Sequence, residues 1–117
     1  PWAQNNKNIL DLQKIGSGNI LVQLFVRGKP FIGLNYHKEQ WLKFVKNLEI
    51  EKRLSGVIVY GCPYLFEKIK NSIHYDIPLA YSPSQLKEAQ NYILCRIMQS
   101  KIFKKDIYKQ IGIEFTD

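Results

Sequence analysis

At 117 residues the chain can hold one domain with a real core, yet it is short for a complete doubly wound α/β fold. Its 45% hydrophobic and 13% aromatic content excludes a disordered polymer. No run reaches the roughly 18 apolar residues of a membrane span, so no membrane role is expected. The formal charge of +7 raises nucleic-acid binding as a possibility, but Lys38, Lys43, Lys46, Lys52 and Arg53 share their segment with Glu39, Glu49 and Glu51. Only three of the seventeen basic residues are Arg, the type suited to bidentate phosphate contacts, so a Lys-rich solvated surface is the expectation.

Residues 1–18 are polar and rich in Asn and Gln, with a small apolar cluster at Ile9, Leu10, Leu12 and Ile15. They read as a linker or N-terminal extension to a single α/β domain over 19–111. The chain opens with Pro1-Trp2 and its only methionine is Met98, so it reads as a fragment, a processed product or one domain of a longer protein.

Three apolar runs carry the fold. Ile20 to Val26 is stopped by Arg27-Gly28-Lys29-Pro30; Val57 to Tyr60 runs into Gly61-Cys62-Pro63-Tyr64; and Ile77 to Tyr81 is stopped by Ser82-Pro83. Uninterrupted β-branched and aromatic residues are the pattern of strands covered on both faces, and the second run reads as a central strand. Gly61 then breaks it, and Pro63 presets the first turn of a helix, making a strand-to-helix elbow. Pro78 lacks an amide donor and suits an edge strand or a first strand position.

Helical spacing fills the intervals. Trp41, Leu42, Val45 and Leu48 repeat at i, i+3, i+4 and i+7 within residues 36–53, with Asn35 as N-cap. Leu65, Phe66, Ile69 and Ile73 mark a short second helix. Ser82, Pro83 and Gln85 match a capping box ahead of Leu86, Ala89, Ile93, Leu94 and Ile97. From Lys101, Phe103, Ile107 and Ile111 read as a weak helical segment, and 112–117 as a C-terminal tail. Alternating strand and helix predicts an α/β fold: an open, mostly parallel sheet with helices on both faces, a three-layer sandwich or half of one.

In such sheets ligands gather beyond the carboxyl ends of the strands, which singles out Arg27 to Gly33, Gly61 to Tyr64 and Ser82 to Gln85. None of these carries a phosphate-cradling glycine pattern, and Gly16-Ser17-Gly18 precedes a strand instead of following one. Cys62 and Cys95 lack metal-ligand spacing, so neither a metal, a cofactor nor a disulfide is expected, and the cytoplasm is the default compartment. Cys62 at a helix start invites a nucleophile reading, but a small residue filling a tight elbow is the simpler role. His37 and His74 are isolated, and Glu67 and Glu88 read as solvated helix positions. No carboxylate pair has the spacing of a general acid and base, so no catalytic residue is assigned.

Val22 to Phe31, then Val57 to Tyr64, then Ile77 to Ser82 followed by Glu88-Ala89-Gln90 together resemble the C-terminal α/β domain of family 3 glycoside hydrolases, the β-glucosidase and β-N-acetylhexosaminidase family. The resemblance covers residues 19–98; Cys62 stands where relatives usually have serine, and the Lys-rich stretch from Lys101 to Lys109 departs from them. It implies a domain that packs against an N-terminal catalytic barrel of the same protein and shapes that barrel's glycan site without performing chemistry. Arg27, Lys29, Tyr64, Ser82 and Gln85 are then the candidates for substrate or domain contact. The alternatives are a free-standing α/β interaction or regulatory module and, third, a basic nucleic-acid-binding domain.

Overall fold

A computed structural model describes residues 18–26, 42–99 and 107–115. In chain order these give β1 (Asn19–Val26), helix α1 through residues 42–50, β2 (Leu54–Tyr60), α2 (Pro63–Lys70), β3 (Leu79–Ser82), α3 (Lys87–Met98) and β4 (Ile107–Phe115). The strands lie in the order β3-β2-β1-β4, and every pairing is parallel. The three expected strands therefore form and pair as the apolar runs imply, with β2 interior and Pro78 immediately before the short β3.

The connections explain where the helices lie. Passing from β1 to β2 to β3 moves the chain steadily one way, and the step from β3 to β4 carries it back across both. Crossovers of one hand in opposite directions must place their helices on opposite faces. Accordingly Phe44, Val45 and Leu48 of α1 and Leu65 and Ile69 of α2 share a core with Ile20, Val22, Leu24, Val57, Val59, Ile111 and Ile113. On the other face, Ile93, Leu94 and Ile97 of α3 pack with Leu21, Phe25, Ile58 and Tyr60.

A β-bulge sets which β2 residues face which layer. Ile20 pairs with Leu54 but Leu21 pairs with Gly56, so Ser55 is the extra residue. This lets Leu54 and Val57, three apart, enter the same core. Gly56 leaves room for α3: a Cβ there would stand 3.1 Å from Ile97 Cδ1 and 3.2 Å from the Pro78 carbonyl oxygen.

Two sequence expectations are corrected. The segment read as weak helix and loose tail forms β4, in register with β1 from Asn19↔Ile107 to Val26↔Phe115. Ile107 and Ile111 fit helical spacing, but Ile111 and Ile113 alternate with Gln110 and Gly112, and long-range pairing to β1 selects the strand period. The capping box does not form either: α3 begins at Lys87 with Leu86 as N-cap and no side-chain cap bond. Ser82 belongs to β3, its Oγ donating to the Ser84 carbonyl at 2.8 Å and accepting from the Ser84 amide at 3.2 Å. That local turn captures the hydroxyl before any helix can use it. Leu86, expected to face the sheet, is 72% exposed as a result. Trp41, Phe103 and the proposed Asn35 cap lie outside the described residues.

Candidate functional site at the carboxyl rim

Parallel strands bring their carboxyl ends to one rim, where helix N-termini also open. Three connections converge there. Gly61, at φ +87, turns the chain out of β2, and its amide donates to the Ser82 carbonyl at 2.9 Å, tying β2 to the end of β3. Gln85 reaches across and donates from Nε2 to the Val26 carbonyl oxygen, tying the loop after β3 to the end of β1. The remaining polar atom of that amide, Gln85 Oε1, is buried with no hydrogen-bond partner.

The elbow forms as the sequence implies. Cys62 is the N-cap of α2 in extended conformation, with Pro63 in the first turn. Its thiol is fully buried in the α1/α2 core, which removes it from attack on any substrate and agrees with the filling role. Cys95 is exposed on α3, and the two thiols are free. Beside the elbow, Tyr64 is 65% exposed, and across the rim Leu86 is 72% exposed. Two large apolar side chains thus flank the Gly61–Gln85 knot.

Of the five contact candidates, Tyr64, Ser82 and Gln85 lie on this rim. Ser82 is buried and spent on its own turn, whereas Gln85 is structural in a way the sequence did not reveal. Arg27 directly follows Val26 in the chain and Lys29 comes two residues later; both lie outside the described residues, as does His37. Leu86 is the rim residue that sequence reasoning assigned to the core; the signal that could have found it is Ser84, whose Oγ accepts from the Leu86 amide at 3.2 Å and delays the helix start.

Electrostatics on the far face are quiet. Gln23, buried within the sheet, accepts from the Tyr60 hydroxyl at 2.7 Å and donates from Nε2 to Gln110 Oε1 at 2.8 Å. The Tyr60 ring stacks on Phe25 with centroids 4.6 Å apart. Burial pushes the Tyr60 phenol well above its ordinary pKa, so it stays a neutral donor. This triad joins β2, β1 and β4 and is structural. Among the described residues no group of three or more His, Cys, Asp or Glu side chains is arranged to hold a metal ion, and no helix is long and apolar enough to cross a membrane.

An all-parallel sheet with helices on both faces, whose strand order reverses between β1 and β4, defines a doubly wound α/β domain, a class in which ligands gather beyond the carboxyl ends of the strands. Residues 3–99 match the protein-family model described as the Bacterial Glycosyl hydrolase family 3 C-terminal domain. The chain belongs to that family; the match spans β1 through α3, and β4 lies beyond it. Comparisons with curated proteins and with solved structures return no match.

Proposed function

We propose that this chain is the non-catalytic C-terminal α/β domain of a family 3-like glycoside hydrolase, a β-glucosidase or a β-N-acetylhexosaminidase, which packs on an N-terminal catalytic barrel of the same protein and shapes its glycan site. The observation that carries the reading is the family match over residues 3–99. The rim supports it: exposed Tyr64 and Leu86 give an apolar contact patch on a knot that fixes their positions, as a domain interface requires. Arg27 and Lys29, next in the chain after β1, add a bidentate donor and a point charge for a carboxylate of the barrel or hydroxyls of its glycan. The proposed compartment is the cytoplasm, in keeping with two unpaired thiols.

The test is reconstitution. The 117-residue chain alone should not hydrolyse aryl β-glucosides or aryl β-N-acetylglucosaminides. Joined to a family 3 barrel it should raise that barrel's activity, and Arg27→Ala should weaken the association while leaving the chain's melting temperature in place. Turnover by the isolated chain, abolished by changing one of its own carboxylates, would refute the non-catalytic role. An Arg27→Ala chain that unfolds, yet associates normally in what stays folded, would return Arg27 to a purely structural role.

A further inference from the structure

β3 is an edge of the sheet, and the hydrogen-bonding row on its outer side is intact. Val57 donates to the Pro78 carbonyl and Gly61 to the Ser82 carbonyl, so in the parallel ladder Pro78, Ala80 and Ser82 turn their backbone groups toward β2. Leu79 and Tyr81 alternate with these and turn theirs outward, where among the described residues nothing bonds to them. Pro78, which lacks an amide donor, belongs to the inward set, so neither outward N–H is lost. The strand carries no charged side chain, and Leu79, Ala80 and Tyr81 are only half-buried.

α3 stands beside this edge. A cleft of about 360 Å³ lies between the two, lined by Leu79 and Ala80 of β3 and by Ile93 and Arg96 of α3. Glu88, Tyr92 and Arg96 follow at four-residue steps along the helix, and all three are exposed. The Arg96 guanidinium lies over the Tyr92 ring, 5.8 Å from its centroid, and donates to the Tyr92 hydroxyl at 3.3 Å, a contact that holds the group in place and leaves it further donors. Neither Arg96 nor Glu88 has an ion-pair partner among the described residues.

The strand and the helix share a midpoint. A Cβ on Gly56 would crowd both Ile97 Cδ1 and the Pro78 oxygen, which puts Ile97 and Pro78 at one level. Toward the carboxyl rim from there, Tyr92 is about 7.5 Å along the helix from Ile97, and Ala80 is about 6.6 Å along the strand from Pro78. A two-fold axis normal to the sheet and level with Ala80 is therefore level with Tyr92 as well.

We propose that this flank binds a second copy of the chain, the two β3 strands pairing antiparallel across that axis into one continuous sheet. Leu79 of each copy exchanges both backbone hydrogen bonds with Tyr81 of the other, and the two Ala80 residues, small enough for the close non-hydrogen-bonded position, meet on the axis. α3 packs on Leu21, Ile58 and Ala80, from three adjacent strands, so its axis runs over β2. The two α3 helices then lie on one face about 14 Å apart, three strand spacings, a gap that tyrosine and arginine side chains span. Across it Glu88 faces Arg96 of the other copy and Tyr92 faces its own mate. The backbone row and the charge stripe are thus self-complementary about the same axis, which selects a second copy over an unrelated strand. On the opposite face Phe66 and Tyr81, with ring centroids 5.6 Å apart, add apolar surface beside the seam. The proposed barrel contact uses none of Leu79, Ala80, Tyr92 or Arg96.

Sedimentation equilibrium and amide hydrogen exchange of the 117-residue chain, from micromolar to millimolar concentration, test this. A dimer is expected, with the Leu79 and Tyr81 amides exchanging freely in the dilute monomer and protected in the dimer. Glu88→Arg and Arg96→Glu each set like charges against one another at two symmetric places, and each should raise the dissociation constant by about tenfold. The double variant restores opposite charges and should recover most of that loss. Both side chains are exposed, so the melting temperature of the dilute chain should stay in place, separating contact from fold. A chain that remains monomeric throughout, a dimer whose Leu79 and Tyr81 amides still exchange freely, a dimer indifferent to both charge reversals, or a double variant weaker than either single one would overturn the proposal.

Discussion

The Gln85 side chain donates to the backbone carbonyl of Val26, 59 residues away, and passes directly over Gly61 to do so. A Cβ on Gly61 would lie 2.7 Å from Gln85 Nε2 and 2.8 Å from the Val26 oxygen. The three strand ends of the rim are therefore locked through one residue that has no side chain.

Gly61→Ala should destabilise the chain by about 1–3 kcal/mol, because it combines a left-handed backbone with a clash against a carbonyl that cannot rotate away. Chemical denaturation measures the loss. Adding Gln85→Ala removes the softer of the two clashes only, so the double variant should recover part of the stability and not all of it.

Tyr60→Phe should cost about 1–3 kcal/mol at neutral pH, since it leaves Gln23 Oε1 buried with no donor. Combined with Gln23→Leu the cost should fall below the sum of the single changes, as expected for partners in one network. The pH dependence carries a definite sign. The folded phenol is raised above its ordinary pKa, so the unfolded chain releases this proton first. The stabilisation is complete below about pH 10 and is lost as pH rises further, at up to about 1.4 kcal/mol per pH unit. Tyr60→Phe should flatten the fall of unfolding free energy above pH 10 by about one proton.

Lys52→Gly should stabilise the fold by about 0.5–1 kcal/mol. Lys52 donates its amide to the Glu49 carbonyl at 2.9 Å and Arg53 to the Leu48 carbonyl at 2.9 Å, the bond pair of a helix closed by a left-handed residue. A melting temperature that falls instead would show that the lysine side chain contributes more to stability than its backbone strain removes.

Leu86→Ser should leave unfolding free energy within about 0.5 kcal/mol, because the side chain is 72% exposed and contributes little to the core. Association with a barrel domain should weaken by about tenfold if this leucine anchors the interface, as isothermal titration of the two domains can measure. Ser82→Ala should behave in the opposite way, losing about 1 kcal/mol with its turn bonds and leaving association unchanged.

The sequence by itself determined the elements whose signal is local. Val57 to Tyr60 has one reading as a covered strand, Gly61 and Pro63 punctuate one elbow, and Val45 and Leu48 turn one helix face to the core. These choices depend on backbone sterics and on a hydrophobic period that runs within a few neighbours. Resemblance in the same segments pointed to the family that the match over residues 3–99 establishes. Tertiary structure decided the rest. Whether Ile107 to Phe115 is a helix or a strand depends on the hydrogen bonds β1 has to offer, and those exist only once the sheet is assembled. Ser82 and Gln85 carry the pattern of a cap, but a capping side chain competes with every other partner within reach. Folding set a nearer turn before Ser82 and the Val26 carbonyl before Gln85, which moved the helix start to Leu86 and turned that residue outward. The hydrogen bond from the His74 amide to Glu49 belongs with these, since the two residues become neighbours only where α1 ends against the turn before β3.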